Sequence, residues 1–222
     1  EIARLKGVIP LLSFALILLA GLLYFEKNEN RKGMPPTQTA LSILFVFAAL
    51  TQIQLSQPFS VWILVGLLFC LGGDVFLALP QERMFLFGLI SFLLGHVCYV
   101  TGFFWVAQVG YLTVIGVIVT LVVGILIYRW LKPHLGSMLK PVIAYILVIS
   151  LMVIAAWSLL GTPHQSAATR WLVFLGAVSF YVFDIFVARD RFLKSAFVNR
   201  LWGLPLYYLG QFMIAFSLGS IY

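Results

Sequence analysis

The chain has 222 residues, of which 63% are hydrophobic and only 9% are charged. A soluble domain carries about 25% charged residues, so this composition excludes both a water-soluble globule and a disordered chain. The net charge of +7 fits cytoplasmic loops and anionic lipid headgroups, and we predict no nucleic-acid partner. A transmembrane helix needs about 20 residues, so eight helices would leave little chain for anything else. We therefore predict a single membrane domain over residues 1–222.

Apolar runs bounded by charges, proline or polar clusters predict an all-α polytopic membrane protein with eight transmembrane helices. The runs are too long for barrel strands and do not alternate polar with apolar residues. The first run lacks a small-residue cleavage site, so we interpret it as a span rather than a signal peptide. The predicted spans are roughly 7–25, 38–55, 59–79, 84–106, 109–131, 139–160, 169–188 and 200–221.

The distribution of lysine and arginine predicts the orientation of these spans. The loops after the first, third, fifth and seventh spans hold eleven of the 14 basic residues, and the opposite side holds Arg4, Lys6 and Arg170. Because cytoplasmic loops are rich in basic residues, those four loops are predicted to lie in the cytoplasm and both termini outside. We therefore expect a multi-pass protein of the cell or inner membrane.

The two halves of the chain, roughly 1–108 and 109–222, share small and polar residues at matching positions. Asp74 matches Asp184 at an offset of 110, and His96 matches Gln211 at an offset of 115. Four helices per half give both copies the same orientation, which predicts two parallel four-helix repeats. Helix packing alone explains the glycines and phenylalanines of the repeat equally well. These matches are Gly66 with Gly176, Phe76 with Phe186, Ala78 with Ala188, Gly88 with Gly203, Gly95 with Gly210 and Gly102 with Ser217.

Asp74 and Asp184 are the two acidic residues predicted within spans, about five residues or about 7 Å from the cytoplasmic helix ends. An unpaired charge at the bilayer centre costs about 2.5–3.5 kcal/mol, so both are candidate catalytic residues. Two carboxyls in a pocket of low dielectric do not both ionise readily, which leaves a protonated acid beside a carboxylate base. The pair predicts general acid–base hydrolysis in one cavity open to the cytoplasm. The alternative is a structural or interfacial acid.

His96 is the only histidine inside a predicted span. It is a candidate to orient an aspartate or the substrate, and a histidine bonded to a backbone carbonyl is an equal alternative. One histidine and two aspartates make a poor zinc site, so no metal and no cofactor is predicted. The sequence also lacks the GxSxG, HExxH, Walker and GxGxxG motifs. It therefore gives no support for a serine hydrolase, a zincin or a nucleotide-driven pump.

Five further side chains are candidates for substrate binding near the cytoplasmic side. Tyr181, Tyr207 and Tyr208 are predicted near the depth of the two acids, although tyrosine is also common at membrane interfaces. Lys140 and Arg191 are candidates to hold a phosphate headgroup, and the basic bias of cytoplasmic loops explains them equally well.

Short segments rich in glycine, aspartate and aromatic residues occur along the chain at Leu71 to Leu77, Phe87 to Phe92, Gly95 to Tyr99, Gly176 to Ala177, Asp184 to Ala188, Arg191 to Phe192 and Tyr207 to Gln211. In order and spacing they resemble the YhhN-like family of multispan membrane proteins. The resemblance implies a lysoplasmalogenase, which hydrolyses the vinyl-ether bond of lysoplasmalogens to a fatty aldehyde and glycerophosphoethanolamine or glycerophosphocholine. It implies Asp74 and Asp184 as catalytic residues, and Tyr99 and Gln211 are candidate substrate contacts. Phe183 departs from the family pattern, in which serine commonly precedes the second aspartate.

The chemistry of vinyl-ether hydrolysis suits a pair of aspartates. A carboxylic acid can protonate the alkene carbon, and a carboxylate can stabilise the oxocarbenium ion or activate water. The predicted partners are therefore a lysophospholipid substrate and membrane lipid. Intramembrane acids in tandem repeats also fit a proton-coupled lipid or small-molecule transporter, and a purely lipid-binding or scaffolding protein is a third alternative.

Overall fold

The computed structural model describes residues 2–53 and 55–220. Within these ranges eight α-helices are long and apolar enough to cross a membrane, which confirms the predicted all-α polytopic fold. The side chains of Arg4 and Lys6, which enter the charge count, lie outside the described part. The helices are α1 (Ile2–Lys27), α2 (Met34–Gln52), α3 (Pro58–Leu77), α4 (Glu82–Val106), α5 (Tyr111–Leu131), α6 (Leu139–Leu160), α7 (Ala167–Phe192) and α8 (Phe197–Phe216).

Helix α2 differs from its predicted span at both ends. It begins at Met34 rather than at position 38, because Pro35 and Pro36 fall in the first turn, where proline costs no intrahelical hydrogen bond. It ends at Gln52 rather than at position 55, since the backbone at Ile53 is extended. The predicted end of the last span, position 221, lies outside the described residues, and α8 is followed by a 3-10 turn over Ser217–Ser220.

Helix α7 continues to Phe192, beyond the predicted end at position 188. The charged residues after that position predict a loop, but arginine is a good helix former and does not end a helix. Within this added turn, Asp190 Oδ1 accepts hydrogen bonds from the Ala196 amide and from Asn199 Nδ2, both at 3.0 Å. The end of α7 therefore holds the start of α8.

Two helical hairpins, α3–α4 and α7–α8, have the closest packing in the molecule. A β-carbon on Gly95 would lie 3.0 Å from the Gly66 carbonyl oxygen, and one on Gly210 would lie 2.8 Å from the Gly176 carbonyl oxygen. Each hairpin thus brings two backbones together at glycines that correspond under the predicted repeat. These contacts support the two-repeat arrangement, which stays a prediction.

The two hairpins are joined by reciprocal packing of the second and sixth helices. Helix α2 packs against α3 and α8, and α6 packs against α7 and α4. One helix of each half, α2 or α6, therefore packs against the hairpin of the other half. A two-fold relation between parallel repeats predicts this arrangement. This exchange places polar side chains of α2 and α6 beside the aspartates of α3 and α7.

Candidate active site

Asp74 lies in the last turn of α3 and is buried, with 1% of its surface exposed. Its Oδ2 accepts hydrogen bonds from Ser42 Oγ and from the Tyr207 hydroxyl, both at 2.5 Å, and its Oδ1 accepts one from Gln38 Nε2 at 3.2 Å. Gln38 and Ser42 are four residues apart on α2, so they point from the same face of that helix. Three donors fit a carboxylate, which has only acceptor oxygens.

Asp184 lies in a different environment, about two turns before the end of α7. Its Oδ2 accepts a hydrogen bond from the hydroxyl of Tyr145 on α6 at 2.9 Å. The half-buried carboxyl lines a cavity of about 70 Å³ whose walls are mostly leucine, isoleucine and phenylalanine side chains of α4, α6 and α7. The site combines a carboxyl, a phenol and room for several water molecules in apolar surroundings.

The prediction that both acids lie about five residues from their helix ends is wrong. Asp74 lies three residues before Leu77, and Asp184 lies eight residues before Phe192. The difference arises because α3 ends two residues earlier than position 79 and α7 ends four residues later than position 188.

An aromatic layer, defined here as Phe92, Phe180, Phe183 and Tyr207, lies between the environments of the two acids. Phe92 and Phe183 line the Asp184 cavity, whereas the hydroxyl of Tyr207 donates to Asp74. The Tyr207 ring centroid lies 4.7 Å from that of Phe183 and 5.9 Å from that of Phe92. Asp74 is not among the described residues that line the cavity. Whether both acids serve one site stays a prediction.

His96 is fully buried on α4 and packs among aromatic rings. Its ring centroid lies 4.5 Å from that of Phe180, 5.3 Å from Tyr145 and 6.4 Å from Tyr99. Neither ring nitrogen makes a well-formed hydrogen bond to a described residue, although the Phe92 carbonyl lies one turn earlier. His96 therefore contacts Tyr145, the residue that donates a hydrogen bond to Asp184. This contact is between the two rings and is not a hydrogen bond.

The other candidate tyrosines fall into three settings. Tyr99 donates its hydroxyl to Gln211 Oε1 at 2.8 Å, so these two candidates are paired in the buried core. Tyr208 donates to the Gln38 carbonyl oxygen at 3.3 Å, beside the Asp74 cluster. Tyr181 lines the Asp184 cavity, and its role as a substrate contact stays a prediction.

The two basic candidates lie at the surface, and one of them is close to the cavity. The Arg191 guanidinium lies 4.5 Å from the ring centroid of Phe85, which lines the Asp184 cavity. Lys140 is exposed at the start of α6 and is not among the described residues that line the cavity. Of the two basic candidates, Arg191 therefore lies closer to the cavity.

Among the hydrogen-bond donors to the two acids, sequence reasoning named Tyr207 but missed Gln38, Ser42 and Tyr145. Gln38 and Ser42 lie one turn apart in a predicted span, and this spacing of polar residues was the available signal. Tyr145 lies in α6, where a single polar residue in a long apolar run gives no comparable pattern. In the part of the chain that the structure describes, no three His, Cys, Asp or Glu side chains lie close enough to hold a metal ion.

The fold and the site define a polytopic membrane protein with two aspartates inside its helix bundle. The family model described as "YhhN family" matches residues 35–218, and the chain belongs to this family. It is 31% identical to bovine (Bos taurus) "Lysoplasmalogenase TMEM86A" over 179 residues, which are 78% of this chain and 72% of the relative. The human (Homo sapiens) protein of that name is 28% identical over the same shares.

A bacterial relative also matches the chain. A protein of Mycobacterium bovis named "Lysoplasmalogenase" is 30% identical over 155 residues, which are 66% of this chain and 55% of the relative. No solved structure matches the chain.

Proposed function

We propose that the protein is a lysoplasmalogenase that hydrolyses the vinyl-ether bond of lysoplasmalogens within the membrane. Membership of the YhhN family and relatives that bear this name support the reaction class. The observation that carries the proposal is the position of the Asp184 carboxyl. It accepts a hydrogen bond from Tyr145 and lines an apolar cavity among the membrane-spanning helices. The alternative of a proton-coupled transporter is not favoured, because the relatives are named as an enzyme.

Asp184 is the proton donor in the proposed mechanism. An apolar cavity with a single hydrogen-bond donor favours a neutral carboxylic acid over a buried, unpaired charge. Tyr145 binds Oδ2, which leaves Oδ1 to carry the proton toward the substrate. Transfer of that proton to the alkene carbon beyond the ether-bearing carbon forms an oxocarbenium ion and an Asp184 carboxylate.

The same carboxylate then completes the hydrolysis. It takes a proton from a water molecule as the water oxygen bonds to the ether-bearing carbon, so the acid is regenerated and a hemiacetal forms. Collapse of the hemiacetal moves its hydroxyl proton to the glycerol oxygen and releases aldehyde and alcohol. The aromatic layer limits access of water from the Asp74 side, because Phe92 and Phe183 form that wall.

The role that the geometry supports for Asp74 is positioning rather than direct contact with the substrate. It accepts hydrogen bonds from α2 and α8 and thereby fixes Tyr207, whose ring packs on the cavity wall at Phe183. Its negative charge also lies on the far side of one aromatic layer from the oxocarbenium ion. The acid–base pair predicted from sequence therefore becomes a proton donor and a fixed anion.

The headgroup is proposed to lie at the end of α7, where Arg191 is exposed next to the cavity residue Phe85. A guanidinium binds phosphate through charge-assisted hydrogen bonds, which suits either an ethanolamine or a choline phospholipid. By the basic bias of the loops, this end faces the cytoplasm and both termini lie outside. Lys140, at the start of α6, is a secondary candidate on the same side.

Purified protein in detergent provides the test. Incubation with a 1-alkenyl lysophospholipid should release fatty aldehyde, and the saturated alkyl-ether analogue should not react, because it has no alkene carbon to protonate. Activity should survive a chelator and should fall in deuterium oxide if carbon protonation limits the rate. Aldehyde release that EDTA abolishes and zinc restores would contradict the metal-free mechanism, and transport of intact lipid without aldehyde would favour the carrier.

A further inference from the structure

A second, larger recess lies between α5 and α6 on the outer surface of the helix bundle. It has a volume of about 530 Å³ and is lined almost entirely by apolar side chains of these two helices. Leu121, Ile125 and Leu147 at this recess are exposed, on helices apolar enough to face lipid. We call this recess the α5–α6 groove. Its volume is within the range of about 300–1,000 Å³ that is usual for small-molecule sites.

The groove is bounded at both ends by tight helix contacts. At one end, Thr113 Oγ1 and Ser158 Oγ share a hydrogen bond of 2.8 Å, and a β-carbon on Gly116 would lie 2.7 Å from the side chain of Trp157. At the other end, the chain turns into α6 over a buried cluster of Leu131, Leu135 and Val142. The groove is therefore a closed-ended recess in the helix pair and not a general separation of the two helices.

Gly124 forms the middle of the groove without being required for helix packing. A β-carbon there would lie 3.6 Å from Ile146 and 3.7 Å from Ser150 Oγ, which are ordinary contact distances. Gly116, on the same helix, has no such room. The missing side chain at Gly124 thus keeps a volume open that a larger residue could fill.

The groove adjoins the cavity that contains Asp184. Ile146 lines both, and Tyr181, which lines the cavity, has its hydroxyl 3.4 Å from the Oγ of the groove residue Ser150. That distance is long for a hydrogen bond between hydroxyl groups, so the contact is weak. Ile146 and the weak hydroxyl pair of Tyr181 and Ser150 therefore lie where the two spaces meet.

We propose that the α5–α6 groove binds the hydrocarbon chain of the lysolipid substrate and admits it laterally from the bilayer. This inference rests on the proposed function, because a vinyl ether at Asp184 with its headgroup toward Arg191 must continue as an alkenyl chain. The adjoining apolar groove, exposed to lipid, provides the surface for that chain. Gly124 then sets how long a chain the groove accommodates.

Replacing Gly124 by leucine should shorten the groove and change the chain-length preference. For a long-chain alkenyl lysophosphatidylethanolamine, kcat/KM should fall by about tenfold or more. One extra or missing methylene group in an apolar pocket typically changes kcat/KM by about 10–200-fold. A substrate whose chain is short enough to stay within the Asp184 cavity should be hydrolysed at an unchanged rate, because Gly124 lies on the groove side of Ile146. Gly124→Ala, whose β-carbon fits without a clash, should give a smaller shift in the same direction.

Gly21→Leu is the matched control, because a β-carbon on Gly21 of α1 meets nothing within 4 Å. It should leave both substrates unaffected. Equal losses for long and short chains in Gly124→Ala, no change in Gly124→Leu, or the same shift in Gly21→Leu would each overturn the proposal.

Binding of the saturated alkyl-ether analogue separates this inference from the proposed function. The wild-type protein should bind the long-chain analogue more tightly than the short-chain one, and Gly124→Leu should remove that difference. If the wild type releases no aldehyde, the proposed function fails, while loss of the chain-length difference in Gly124→Leu would still support the groove as a lysolipid chain site. No chain-length difference in wild-type binding would refute the groove even if hydrolysis is observed.

Discussion

Replacing Asp184 by asparagine removes the acidic proton but keeps the size and one acceptor oxygen of the side chain. Among the described residues, this carboxyl has one hydrogen-bond partner, the Tyr145 hydroxyl at 2.9 Å, and the asparagine oxygen can still accept that bond. The free energy of unfolding should therefore change by no more than about 0.5–1.5 kcal/mol, the net value of one hydrogen bond. Activity should fall by about 10²–10⁴-fold, as expected for loss of general acid catalysis.

Tyr145→Phe provides the scale for that loss. It removes the hydrogen bond to Asp184 but leaves the proton, so the rate should fall by only about tenfold, which corresponds to about 1.4 kcal/mol. Activity should therefore decrease from the wild type to Tyr145→Phe and from Tyr145→Phe to Asp184→Asn. Glu29→Gln, which removes an exposed acid between α1 and α2, should behave as wild type.

The assay is aldehyde release by protein purified in detergent, with thermal unfolding and binding of the saturated alkyl-ether analogue measured on the same samples. These two measurements distinguish a folded, substrate-binding variant without activity from a misfolded one. Full activity in folded Asp184→Asn, or an equal loss in Glu29→Gln, would refute Asp184 as the proton donor.

The packing and the topology give four further predictions. Asp74→Asn should lower both the activity and the free energy of unfolding, the latter by about 1–3 kcal/mol, because an amide cannot accept hydrogen bonds from all three donors. Unchanged thermal unfolding would contradict this prediction. Losses in the double variant with Asp184→Asn should be less than multiplicative if the acids act together. Cysteines at the exposed positions His134 and His164, at opposite ends of α6, should be labelled from opposite sides of the membrane. Gly210→Ala should destabilise the fold by about 1–3 kcal/mol through contact with a backbone oxygen, whereas Gly124→Ala should unfold as wild type does.

The spans and the two aspartates could be predicted from sequence because both depend on strong, local signals. Long apolar runs determine helices in a membrane, and an acid inside such a run is rare enough to indicate a site. The end of α7 could not be predicted in this way, since Arg189 and Arg191 mark the limit of the apolar run but not of the helix. Charge reports membrane depth, and backbone hydrogen bonding determines where a helix ends.

The partners of the aspartates depend on helix packing, which the sequence does not reveal directly. Tyr145 lies on α6 and Asp184 on α7, so their hydrogen bond depends on how those helices are rotated against each other. Tyr207 and Asp74 are 133 positions apart, and the polarity of each alone gives no indication that they meet. A tyrosine in a span is equally compatible with the membrane interface, which is why its role followed only from the fold.

The different environments of the two acids have a simple origin if the chain is an internal repeat. At the offset of 115, Tyr207 corresponds to Phe92. Tyr207 donates its hydroxyl to Asp74, whereas Phe92 lines the Asp184 cavity with a ring that has no hydroxyl to donate. The hydroxyl group of Tyr207 thus gives Asp74 a hydrogen-bond donor, and Phe92 provides no corresponding donor to Asp184. The first carboxyl is thereby held in a buried cluster, and the second remains open to a cavity, as the proposed transfer of its proton to a substrate requires.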